Sequence, residues 1–145
     1  MRDLPRQLSA EQLAELFEGH TRFVERLAGV EDPLDHAADI LGTLSEELKV
    51  EALNAHPAIG ARRLSERSAA EQGTDTEPAV LTELSYLNQV YEEKFGFRFV
   101  VFVAGRSKRE VLEVLRERIG RTPEEELETG CRELVAIARD RWTRI

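Results

Sequence analysis

A single cysteine, Cys131, stands in the 145 residues, so no internal disulfide can form. That cysteine usage fits a reducing compartment. No apolar run approaches the roughly 18 residues that a membrane span requires. The opening MRDLPRQLSAEQ lacks an apolar signal-peptide core, and the closing WTRI is not a peroxisomal tripeptide. A cytoplasmic protein is the expectation. Basic charge is also in deficit: 20 Lys and Arg against 28 Asp and Glu leave a net charge of −8. Nucleic acid and anionic membranes are therefore poor default partners. The three histidines, at 20, 36 and 56, and the distant cysteine match no zinc spacing. A Walker loop, a dinucleotide-binding glycine fingerprint and a Gly-x-Ser-x-Gly elbow are missing too. Neither a metal nor a cofactor is expected, which leaves cofactor-free acid–base chemistry or plain binding.

What is present is helical. The length suits one domain, residues 1–145, with a substantial core. Ser9 is placed to cap a first helix over about residues 10 to 28, with Leu13, Leu16, Phe17, Val24 and Leu27 on one face. His20 falls on or beside that face, as a core residue or at the edge of a cleft. Asp32-Pro33 opens a second helix with Leu34, Ala37, Ala38, Leu41 and Leu44 inward and His36 outside the stripe. Thr43 or Ser45 caps a third, which runs to His56. After Pro78, Val80, Leu81, Leu84, Leu87, Val90 and Tyr91 mark an amphipathic helix to about Lys94, with Asn88 near its apolar face to hold a neighbouring loop. Ser107-x-x-Glu110 and Thr122-Pro123-x-Glu125 are capping boxes. The helix begun by the first ends at Gly120. The last helix buries Leu127, Cys131, Leu134, Val135, Ala138 and Trp142 along a seam flanked by charges, Arg139 and Arg141 among them. The predicted fold class is all-α: a compact single-domain bundle of six to eight helices.

One short extended apolar segment interrupts the helices. Residues 95–103, FGFRFVVFV, are aromatic and β-branched and bounded by Gly96 and Gly105. No second strand-like run exists to pair with this one, so its backbone amides and carbonyls need other partners. Those groups are available to hold a polar ligand.

The stretch with most chemical promise is Leu53 to Gly73. Proline at 57 pushes His56 out of the α region, so the entering helix stops at about Ala55 or His56. The imidazole is thereby placed at a helix C-terminus, where the macrodipole favours the protonated form. Arg62 and Arg63 add positive charge nearby, and Ser68-x-x-Glu71 opens the next helix as a capping box. A histidine at a rigid corner with a carboxylate near in sequence suits proton transfer around neutral pH. A structural histidine and a purely capping Glu71 remain open on the pattern alone.

The ordered set Ala55-His56-Pro57-Ala58-Ile59-Gly60, Ser68-Ala69-Ala70-Glu71-Gln72, Leu87-Asn88-x-x-Tyr91-x-x-Lys94-Phe95-Gly96-Phe97 and Gly105-Arg106-Ser107 resembles the OHCU decarboxylase family. OHCU is 2-oxo-4-hydroxy-4-carboxy-5-ureidoimidazoline. The likeness extends from about Phe17 to Trp142. It implies cofactor-free conversion of that small ureidoimidazoline to (S)-allantoin in urate breakdown, by a homodimer. Residue by residue, it implies His56 and Glu71 as the catalytic pair, with Pro57, Ser68 and Gln72 beside the substrate. It also implies that the main chain around Phe99, Val101 and Val103 holds the ligand, and that Arg141, within Ile137-Ala138-x-x-Arg141, binds it. A paralogue acting on a related ureide or imidazolone has the same residues. A non-catalytic helical interaction domain explains the amphipathic helices but gives no reason for the His-Pro corner.

Overall fold

Side-chain caps set where most of the helices begin. The computed structural model describes residues 3–58 and 77–144, and seven helices lie among them with no strand. They are α1 (Ala10–Phe17), α2 (Arg22–Leu27), α3 (Pro33–Thr43), α4 (Glu46–Asn54), α5 (Pro78–Phe95), α6 (Lys108–Ile119) and α7 (Pro123–Arg144). The all-α expectation holds. Ser9 caps α1 reciprocally with Gln12, and Ser107 caps α6 reciprocally with Glu110. Thr122 and Glu125 exchange two hydrogen bonds at the head of α7, at 3.1 and 3.2 Å. Of the two candidates for α4, Ser45 is the cap, while the Thr43 hydroxyl donates back to the Ile40 carbonyl. Each cap satisfies amide groups that the first helical turn leaves without partners.

The expected helix over residues 10 to 28 is two. Glu18 takes left-handed backbone angles (φ 64°, ψ 24°), and Thr21 then caps α2 by accepting from the Val24 amide. Packing explains the corner. A Cβ built on Gly19 would lie 3.2 Å from the Ala55 Cβ, so the chain turns where it meets the end of α4. His20, set on the corner, is exposed, which rules out a core role. Ala38, expected inward, is exposed as well, and so is His36.

The long C-terminal helix organises the rest. α7 packs on α1, α3 and α4, while α5 pairs with α6. Gly130 lets α4 come close to α7, since a Cβ there would meet both Leu53 methyls at 3.3 Å. Arg22 ties α2 to α4: its amide and its guanidinium both reach the Glu51 carboxylate, at 2.8 Å each. One contiguous cluster of buried apolar side chains runs from Leu8 to Ala138. Cys131 belongs to it, and burial pushes its thiol up to about 11, as expected of a packing cysteine. The termini are joined as well, with the Trp142 indole donating to the Asp3 carbonyl at 2.7 Å. Among the described residues, no helix is long and apolar enough to cross a membrane.

Candidate functional site

The corner at the end of α4 forms as the His-Pro pair predicts. Ala55 is the C-cap in the right-handed region, and the His56 amide closes a tight final turn on the Leu53 carbonyl at 3.1 Å. His56 is buried, 7% exposed, with Pro57 and Ala58 half-buried beyond it. Its Nδ1 is buried and has no hydrogen-bond partner among the described residues. Such an atom carries a desolvation cost that a ligand donor or a proton can relieve.

The charge state of His56 is the reverse of the one expected from the helix end. Its pKa is pushed down to about 4, first by burial, then by the Arg141 cation and more weakly by Arg98, with Glu18 acting in the opposite sense. The helix terminus cannot compensate because its carbonyls are already engaged. One Arg98 nitrogen, Nη1, donates to the His56 carbonyl at 2.7 Å and to the Asn54 carbonyl at 3.2 Å. The imidazole is therefore neutral at pH 7, able to accept a proton.

Arg141 does not flank the α7 seam in solvent; it is buried, 2% exposed. Its Nη1 donates to the Leu16 carbonyl and pairs with a Glu18 carboxylate oxygen, both at 3.1 Å. Glu18 and Arg98 escape a reading of the sequence pattern. The first looks like any charge at a helix end, and the second like a polar interruption in an apolar run.

Residues 97–103 follow α5 as the expected unpaired extended segment, although Phe95 still belongs to the helix. Phe99, Val101 and Val103 bury their side chains, so only their main chain is available to a ligand. Side chains replace the missing ladder along one edge. The Arg98 amide donates to Asn54 Oδ1 at 2.9 Å, Arg118 donates to the Val100 carbonyl at 2.8 Å, and the Phe102 amide reaches Glu133 at 3.3 Å. Amide and carbonyl directions alternate between edges along an extended chain. The opposite edge belongs to Phe99 and Val101, whose main-chain groups make no hydrogen bond among the described residues. Val103 is different, because Arg106 takes its carbonyl through both its amide and Nε, at 3.0 Å.

The structure thus brings His56, Pro57 and Arg141 to one place and runs the extended segment past it, held there by Arg98. Ser68, Glu71 and Gln72 lie outside the described residues, as do Arg62 and Arg63. Among the described residues no cluster of three or more His, Cys, Asp or Glu side chains is arranged to hold a metal.

Comparison with known proteins bears on what this corner does. A family model described as OHCU decarboxylase matches residues 2–143. A uric acid degradation bifunctional protein of Arabidopsis thaliana is 35% identical over 106 residues, which are 66% of this chain and 33% of that protein. A 2-oxo-4-hydroxy-4-carboxy-5-ureidoimidazoline decarboxylase of Halalkalicoccus jeotgali is 31% identical over 106 residues, 70% of this chain and 60% of that one. The chain thus spans a third of the first relative and under two thirds of the second. A crystal structure of OHCU decarboxylase in the presence of (S)-allantoin superposes with a TM-score of 0.77 at 27% identity, covering 92% of this chain and 96% of the other.

Proposed function

This chain belongs to the OHCU decarboxylase family, and from that premise we propose that it decarboxylates 2-oxo-4-hydroxy-4-carboxy-5-ureidoimidazoline to (S)-allantoin. The observation that supports this reading is the neutral, buried His56, its Nδ1 without a partner among the described residues, lying under the field of two arginines. An anionic substrate suits that corner. Its carboxylate supplies the negative charge that Arg98 and Arg141 favour, and by doing so it raises the proton affinity of the imidazole on binding.

The reaction places few demands on the protein. The bond from C4 to the carboxylate breaks and its electron pair forms a C4–C5 double bond. The electrons of the former C5=N bond pass to nitrogen, which takes a proton. The resulting enol then loses its C4 hydroxyl proton and gains one at C5, leaving carbon dioxide and allantoin. The electron sink is part of the substrate. What the enzyme supplies is orientation of the carboxylate out of the ring plane and a proton delivered to one face. We assign His56 to the C4 hydroxyl and carboxylate as general acid and base, and Glu71 to ring or ureido N–H groups. Arg141 is assigned to the ring carbonyl oxygens. The remaining contacts fall to Pro57, Ser68, Gln72 and the main chain at Phe99, Val101 and Val103. The same reading takes the protein to be a cytoplasmic homodimer.

Stereochemistry tests the assignment, because the substrate also decays unaided and protonation in free solution has no handed environment. With substrate generated in situ from urate, the protein should yield optically active (S)-allantoin faster than the blank, with deuterium at C5 in deuterated water. His56→Ala should return racemic product at the background rate. Racemic allantoin at that rate from the intact, folded protein would overturn the assignment.

A further inference from the structure

The geometry points to Glu18 as a positioning residue for this site, its carboxylate fixing the Arg141 guanidinium beside His56. The inference rests on the decarboxylase reading for its catalytic consequence, but the placement itself comes from the corner between α1 and α2.

Glu18 is a poor choice for the backbone it occupies. At φ 64° its Cβ meets a steric penalty that glycine does not. Glycine stands next door, at 19, where the close contact with Ala55 favours it. Ending α1 therefore gives no reason for glutamate at 18; the side chain does. It is only 16% exposed and meets the Arg141 side chain, itself 1% exposed, at 3.1 Å. A buried guanidinium needs a counter-charge, and Glu18 supplies one from a main chain locked by its neighbours. The Leu16 carbonyl, two residues earlier, accepts from the same Nη1. The end of α1 thus grips one nitrogen from two sides and sets how the guanidinium faces the corner. Gly19 packs the same turn against Ala55, the residue before His56. Glu18, Arg141 and His56 consequently hold a common frame drawn from α1, α7 and α4. Among the described residues, the charged groups acting on His56 are the cations Arg141 from α7 and Arg98 from the extended segment, opposed by Glu18.

Three variants separate positioning from helix ending. Glu18→Gly suits the left-handed backbone and removes the carboxylate, Glu18→Gln keeps the backbone and length but removes the charge, and Glu18→Asp keeps a shorter charge. Melting temperature, decarboxylation kinetics and the nitrogen-15 NMR signals of the Arg141 guanidinium are read on each. Glu18→Gly relieves the left-handed backbone but strands the buried guanidinium, so it should melt lower than the intact chain, lose at least tenfold in kcat and show Arg141 signals averaged by free rotation. Glu18→Gln should show the same loss of kcat and the same averaging, and Glu18→Asp should fall between. A Glu18→Gly protein with kcat within twofold of the intact chain would overturn the proposal. So would Arg141 signals unchanged in both neutral variants, whatever the rates. If Glu18→Gly fails to fold, Glu18→Gln carries the decision. If the intact chain itself only matches the blank, the decarboxylase reading fails while the Arg141 signals still decide whether Glu18 fixes that side chain.

Discussion

Two of the described arginines are buried, each beside a glutamate and an aromatic or imidazole ring, and they serve different ends. Arg118 donates Nε to Glu126 at 2.8 Å and Nη1 to the Val100 carbonyl at 2.8 Å, and its guanidinium lies 4.6 Å from the Phe99 ring centroid. Glu126, fully buried, also accepts from the Tyr91 hydroxyl at 2.6 Å and from Arg121 at 3.1 Å. In that cluster burial and the Glu126 carboxylate hold the Tyr91 phenol well above its usual range, so the phenol stays protonated near neutrality, and one Arg118 nitrogen, Nη2, is buried without a hydrogen-bond partner among the described residues. Arg141 is gripped at one nitrogen by Glu18 and Leu16, and its charge falls on an imidazole driven towards neutrality with a nitrogen unpartnered among the described residues. Equally buried charge can stabilise a fold or perturb a proton site. What decides is whether its carboxylate partner absorbs the field or a titratable ring beside it receives it.

The largest effect should come from breaking the Glu126 cluster. Glu126→Ala strands Arg118 without its counter-charge, which typically costs about 3–5 kcal/mol. Urea unfolding should show that loss, while the folded fraction keeps the KM of the intact chain. A normal melting curve would mean that Arg118 reaches solvent and that the contrast is wrong.

Next in size is the pH dependence of stability carried by His56. Its folded pKa of about 4 lies below the ordinary value of 6.5. Between these values the unfolded chain binds more protons, so stability rises with pH through that window. The contribution is complete above about pH 6.5 and is lost as pH falls towards 4, with an upper bound of roughly 3 kcal/mol. Subtracting the unfolding profile of His56→Gln from that of the intact chain isolates it. A flat difference between pH 4 and 6.5 would remove the claim that His56 is held neutral.

Arg141→Met tests the same site through kinetics. Glu18, 16% exposed, can rehydrate, so the melting temperature should fall less than in Glu126→Ala. Turnover should drop about a hundredfold, or 2.7 kcal/mol of barrier. Equal losses of stability in the two variants, with turnover kept here, would erase the distinction between the clusters.

These contrasts explain which parts were legible beforehand. Helix starts were readable at Ser9, Ser45, Ser107 and Thr122 because a cap is a local bond between residues three apart. The end of α4 was readable at His56-Pro57 because the proline constraint acts on its immediate neighbour. The partnerless extended segment was visible in composition, and so was its need for hydrogen bonds. The break at Glu18 was not, since it answers to Ala55, a residue 37 positions away. The protonation of His56 was not legible for the same reason. The helix end was in the sequence, but the Arg98 bond to its carbonyls and the burial of Arg141 came from distant elements. Arg118 and Glu126, eight residues apart across a helix boundary, carried no pattern that would mark them as a buried pair.

The smallest predicted change is also the sharpest check on the Glu126 cluster. Tyr91→Phe deletes a hydroxyl that donates to Glu126 at 2.6 Å and leaves the ring where it contacts Phe95 and Phe99, at centroid distances of 4.5 and 5.2 Å. The carboxylate keeps its bonds to Arg118 and Arg121, so no charge is stranded. The cost should lie at the low end for a hydrogen bond to a charged group, about 1.5 kcal/mol. In a chain of this length that lowers the melting temperature by about 3–6 °C. Because Arg118 still holds the Val100 carbonyl, the extended segment should stay in register past His56, and kcat/KM should remain within twofold. A larger kinetic loss at that modest thermal cost would show that the Tyr91 hydroxyl governs the segment facing the site, and the two buried arginines would then belong to one machinery.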